Sequence, residues 1–106
     1  MIVDKIDNMV NGWFIGDFEP SILKTNEFEI GIRMHKQGEK CPDHYHAYAT
    51  EFNVLLFGTM RINDTDLGPG DIFTFLPNEI SRAEFYEDCT IVVVKVPSNP
   101  TDKVVV

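Results

Sequence analysis

Nothing in the sequence approaches the roughly 20 consecutive apolar residues that a membrane span requires. The opening MIVDKIDNMVNGW also lacks the basic start and apolar run of a secretion signal. The chain is therefore read as a soluble, cytoplasmic protein. Basic side chains are few, nine Lys and Arg against 17 Asp and Glu, for a formal net charge of -8. Such a surface repels phosphate backbones and anionic headgroups, which argues against nucleic acid and membrane partners. Cysteine is nearly absent. Cys41 and Cys89 are read as reduced packing residues rather than a disulfide, because no secretion signal precedes them. Helical periodicity is missing too: no long segment carries apolar residues at i, i+3, i+4 and i+7, and turn clusters interrupt the chain throughout.

What is present is a pattern of short strands in 106 residues, 43% of them hydrophobic, enough for one domain spanning 1–106. From Glu27 to His35 the residues alternate, with Phe28, Ile30, Ile32 and Met34 on one face and Glu29, Gly31, Arg33 and His35 on the other. Further strands are read at Phe52–Phe57, Met60–Asn63 and Ile72–Leu76. Turns are read at Asn63–Asp66, Leu67–Asp71 and Pro77–Glu79. TIVVVKV, Thr90 to Val96, is a β-branched run fit for a buried strand, ended by Pro97 and Pro100. The tail SNPTDKVVV is expected to be loosely ordered or an edge. Short strands at this spacing predict an all-β sandwich or barrel.

The segment GEKCPDHYHAYATEFNVLLFG carries the chemistry. In a strand, residues i and i+2 point to one face, so imidazoles at His44 and His46 converge on one ion. Glu51 follows closely enough for a turn to bring its carboxylate back. Two neutral imidazoles and a carboxylate suit zinc, iron, manganese, nickel or copper. Solvated histidines on an edge strand would look the same. Cys41 is a weaker ligand candidate, since its interval to the histidines favours no particular geometry.

The same segment resembles the first cupin motif: a Gly, five residues, His-x-His, three or four residues, Glu, six residues, Gly. Gly38, His44, His46, Glu51 and Gly58 fall in place. The resemblance implies a jelly-roll barrel, a double-stranded β-helix, whose core covers about 27–96. It implies a metal site of His44, His46 and Glu51 in the barrel mouth, and dimers formed through a barrel face. The second cupin motif aligns from Gly70 as GDIFTFLPNEISRAEF, with Leu76 at its proline, Asn78 at its glycine, Ser81 at its histidine and Phe85 at its asparagine. Asn78 suits a positive φ. Serine, however, is a poor ligand beside imidazole, so the fourth ligand is lost.

The leading expectation is a metal-binding cupin holding one divalent ion (Fe, Mn, Zn or Ni) and a small molecule, as a dioxygenase or an isomerase. The alternative is a non-catalytic cupin that binds a small ligand, or only dimerises, without metal. Arg33 and His35 stand on the polar face of their strand, where solvent is the ordinary environment; if they reached the pocket they would suit an anionic substrate. Trp13 and Phe14 are read as packing residues, and Tyr48 as a donor on the pocket rim. If Glu51 points inward, so do Asn53, Leu55 and Phe57. Phe52, Val54 and Leu56 then need cover from the N-terminal segment or from a second subunit, and a homodimer is expected.

Overall fold

The computed structural model describes residues 1–106 as one 3-10 turn, Ile6–Asn8, and ten strands. These are β1 (Trp13–Ile15), β2 (Glu29–His35), β3 (His44–His46), β4 (Thr50–Phe57), β5 (Met60–Ile62), β6 (Thr65–Leu67), β7 (Ile72–Phe75), β8 (Ala83–Phe85), β9 (Cys89–Val96) and β10 (Lys103–Val105). They form a five-stranded sheet in the order β1-β2-β9-β4-β7, a three-stranded sheet β6-β5-β8 and the pair β10-β3. The core draws on both larger sheets: Leu55, Phe75, Ile91 and Val93 from one, Met60, Ile62 and Phe85 from the other. The two sheets therefore face each other, and the β-branched run from Thr90 to Val96 lies in the middle of the larger one.

The local chemistry explains the turns. Asn63 and Asp64 both adopt positive φ, 45° and 64°, which Asn and Asp tolerate and which the tight hairpin between β5 and β6 requires. That hairpin is narrower than expected, since Thr65 and Asp66 already belong to β6. Pro77 and Asn78 occupy the centre of a turn closed by Glu79 N–H donating to Leu76 O at 3.1 Å, with Asn78 at φ 71°. Gly58 ends the first motif at φ 90°, and a Cβ there would lie 2.2 Å from Asp88 O.

Register sets what points inward. Glu29 of β2, Lys95 of β9, Glu51 of β4 and Phe75 of β7 stand abreast, as do Gly31, Val93, Asn53 and Phe73. The inward face of β2 is thus the polar one, with Glu29 only 5% exposed, whereas the apolar Met34 is 68% exposed. The solvated face expected for Arg33 and His35 is instead the cavity wall. The N-terminal segment explains the exchange: Ile6, Met9, Phe14 and Ile22 gather over Ile32 on the outer face.

One further expectation is corrected, and one pair of alternatives is decided. The β4–β9 register shifts between Leu55 and Phe57, a bulge that turns Phe57 outward to 67% exposure instead of inward after Leu55. The tail takes the second of its two expected forms, an edge. Ser98 and Asp102 are each 4% exposed, and β10 pairs with β3, setting Lys103 opposite His46.

Candidate functional site

His44 and His46 begin and end β3, so their side chains leave the strand on one face. With Glu51 they line a single cavity of about 420 Å³. Their ring centroids are 5.5 Å apart at 83°. His46 Nε2 lies 3.3 Å from Glu51 Oε1.

Each imidazole is held from behind. His46 Nδ1 is 3.0 Å from Asp102 Oδ1, while Asp102 Oδ2 accepts the N–H groups of Tyr48 at 3.2 Å and Ala49 at 2.9 Å. His44 Nδ1 is 2.9 Å from the Pro42 carbonyl. A carboxylate and a carbonyl only accept, so each Nδ1 carries a proton, and in a neutral ring the Nε2 then keeps the lone pair. For His46 that lone pair faces a Glu51 oxygen, so two acceptors meet and a cation between them, proton or metal, is required.

Ionisation follows from the surroundings. Burial pushes the His44 pKa down and so favours the neutral ring, against the opposing effect of the Pro42 carbonyl. Burial also opposes ionisation of Glu51, but the His46 contact, the Lys95 charge and the amide of Asn53, donating to Oε2 at 3.0 Å, outweigh it and hold the carboxyl below its usual range.

Ser81 stands where the motif alignment put it. It pairs with His44 through reciprocal backbone bonds, Ser81 N–H to His44 O at 2.7 Å and His44 N–H to Ser81 O at 3.3 Å. Residues so paired share a face, and Ser81 lines the cavity.

Of the other residues singled out, the packing role of Trp13 and the free thiols agree with expectation, and Tyr48 does not. Trp13 lines the cavity while Phe14 packs over Ile32. Trp13 lies against Gly31, where a Cβ would stand 2.6 Å from its ring. Tyr48 is 69% exposed and does not line the cavity. Both cysteines are free. Cys41 joins neither histidine of β3 and belongs with His35 and Glu39. The ligand atoms of these three all lie within 4.8 Å of one another, a tighter set than His44, His46 and Glu51. His35 in turn stacks on Phe85 with centroids 4.3 Å apart.

Asp102 and Lys95 are among the polar residues of the site that escaped the sequence reading, as are Lys40 and Lys103. Asp102 lay in the tail, with no spacing to connect it to His46. Lys95 left a signal, a lone charge inside a β-branched run. It lines the cavity abreast of Glu29 and Glu51, and its Nζ is 4.7 Å from the Trp13 ring centroid. Burial lowers its pKa, against the opposing charges of Glu51, Glu29 and Asp102.

No sequence-family model matches the chain, and no curated protein matches it. Solved structures do. A double-stranded β-helix protein from Klebsiella pneumoniae subsp. pneumoniae is 20% identical, with 97% of this chain and 89% of that one covered, at a TM-score of 0.72. A sugar phosphate isomerase of the cupin superfamily from Silicibacter pomeroyi is also 20% identical, covering 68% of this chain and 52% of that one, at a TM-score of 0.54.

The fold is that of a cupin. The DMSP lyase DddQ from Ruegeria pomeroyi matches the same barrel at 20% identity and a TM-score of 0.68, over 86% of this chain and 48% of the lyase. This chain thus spans about half the length of that enzyme. At these identities the likeness is one of architecture alone, and function follows only from the cavity itself. No helix of the chain is long and apolar enough to cross a membrane.

Proposed function

We propose that this cupin binds a small molecule in its barrel around one divalent transition metal, Fe, Mn, Zn or Ni, held by His44, His46 and Glu51. The observation that carries the reading is the pair of Nδ1 anchors, Asp102 and Pro42 O, which turn the Nε2 side of both rings to a shared cavity, with His46 Nε2 beside the Glu51 carboxylate. A histidine ligand backed by a carboxylate or a carbonyl is the usual arrangement behind a metal centre, so the donor set fits. Two histidines and one carboxylate are the ligand set of non-haem iron oxygenases, and such an ion also supplies Lewis acidity for an isomerisation. The chain's own part is to present two imidazoles anchored at Nδ1 and an ionised carboxylate, with Asn53 fixing the second oxygen of Glu51. Elemental analysis and zinc or nickel titration of the purified protein test this. One ion per chain, lost in His46→Ala, is the expected result, and no binding by the wild type would refute it.

A second reading, a metal-free cupin that binds a small ligand, is favoured by Lys95. Its charge acts on the Glu51 carboxylate, and a fixed cation there competes with a metal. Under either reading we propose a cytoplasmic homodimer, with the exposed Phe52 and Leu56 flanking Val54 on the outer face of β4.

A further inference from the structure

Eight of the nine cations of this acidic chain are sorted by position; the ninth, Lys5, is unpaired and lies in the N-terminal segment. Lys24, Lys36, Arg61 and Arg82 each pair with a carboxylate on the outer surface. Arg33, Lys40, Lys95 and Lys103 all line the barrel cavity, and none of the chain's ion pairs includes them. Seventeen acids were available to them. Glu51 is the one acid in the cavity lining. The two carboxylates behind that wall have other partners: Asp102 takes His46 and two backbone N–H groups, and Glu29 accepts from Ser98 Oγ at 3.4 Å.

Exposed lysines are often unpaired, which would account for Lys40 or Lys103 taken singly. It does not account for Lys95, which projects from the central strand of the larger sheet. Its ammonium has no ion-pair partner and lies over the Trp13 ring. Glu51, Glu29 and Asp102 offset the cost of this half-buried cation only at a distance, and a ligand that supplies a negative charge in direct contact would offset it further. The wall beside it is flat and aromatic, because Gly31 lets Trp13 lie close against β2.

We infer that the cavity takes a small oxyanion, a carboxylate or a phosphate ester, held chiefly by Lys95 and Lys103 with its carbon skeleton against Trp13. This rests on the cavity being a small-molecule site, and it holds with or without a metal. A net-negative chain that gathers four of its five unpaired cations in one concave site focuses potential there and draws small anions in, while the rest of the surface repels them.

The test uses the full chain, stripped on a chelating resin because a soluble chelator is itself a polyanion. Malonate, inorganic phosphate and neutral malonamide are titrated by calorimetry at low salt. Malonate or phosphate is expected to bind, their rank telling which group the site prefers, and malonamide is not. Affinity should fall with added salt. It should weaken by about tenfold or more in Lys103→Gln, an exposed site where folding is safe, and in Lys95→Met, but stay unchanged in Lys5→Gln. The inference is overturned if neither anion binds, if malonamide matches malonate, or if both cavity variants bind as the wild type does. Anion binding retained in His46→Ala supports it even if the metal reading fails. Binding seen only with zinc loaded, and lost in His46→Ala, overturns it and leaves the metal reading standing.

Discussion

Asp102 fixes the ring of His46 across 56 residues of sequence through a contact of 3.0 Å. The carboxylate is 4% exposed and holds the β3–β4 connection with its other oxygen, so one side chain orders both the ligand and the loop behind it. In Asp102→Asn the side-chain oxygen is expected to stay with the Tyr48 and Ala49 N–H groups and to turn the amide NH2 toward His46. The ring then carries its proton on Nε2, the wrong atom for a ligand. Zinc affinity should fall by about 10- to 100-fold. Calorimetry that finds it unchanged would mean that Asp102 does not set the tautomer.

The two buried carboxylates of the site should give stability profiles of opposite slope. Burial opposes ionisation of Asp102, but the bonds from Ala49, His46 and Tyr48 outweigh it and depress its pKa below the ordinary 3.8. Its stabilisation is complete above that value and is lost as pH falls through the folded value. Burial raises the Glu29 pKa above 4.5, against the opposing effects of Lys95 and Ser98. Folded protein then keeps that proton to higher pH than unfolded chain, so stability is lost as pH rises from 4.5 through the folded value. Relative to wild type, Glu29→Gln should therefore gain stability between about pH 4 and neutrality, while Asp102→Asn should lose most at neutrality and least in acid. Urea unfolding at several pH values measures both, and parallel profiles for the two variants would contradict the assignment.

Local pattern explains what was legible. The alternation of β2, the β-branched run of β9 and the turn chemistry of Asn63 and Asn78 are encoded within a few residues, and a barrel follows from them. His44, His46 and Glu51 share one motif and line one cavity. What was hidden depends on distant chain. The polar face of β2 turns inward only because the N-terminal segment covers Ile32, and Asp102 becomes a site residue only because β10 closes on β3. A single bulge reverses Phe57. None of these leaves a periodic trace.

The outer face of the larger sheet predicts assembly. The N-terminal segment packs over Ile32 of β2, whereas Phe52 is 44% exposed, Leu56 41% and Ile72 73% on β4 and β7. An apolar strip of this kind is ordinarily an interface. Val54→Lys places a charge at its centre and should convert a dimer to monomers, with the barrel intact by circular dichroism. Sedimentation at micromolar concentration decides it, and a monomeric wild type would remove the interface.

The reciprocal backbone bonds between His44 and Ser81 put position 81 beside the histidine pair, on the same face and at the same cavity. Serine there offers a neutral hydroxyl, a weak donor to a transition metal. Ser81→His should add a fourth ligand by replacing a bound water, raising zinc or nickel affinity about tenfold or more, on the order of 1.4 kcal/mol. Stability in the presence of metal should rise with it, because the ion binds folded protein preferentially. His46→Ala should remove binding in both backgrounds. If Ser81→His leaves affinity unchanged while His46→Ala abolishes it, the new imidazole does not reach the ion, and residue 81 only pairs the strands. If neither substitution has an effect, the three residues hold no metal, and the cavity works through its cations instead.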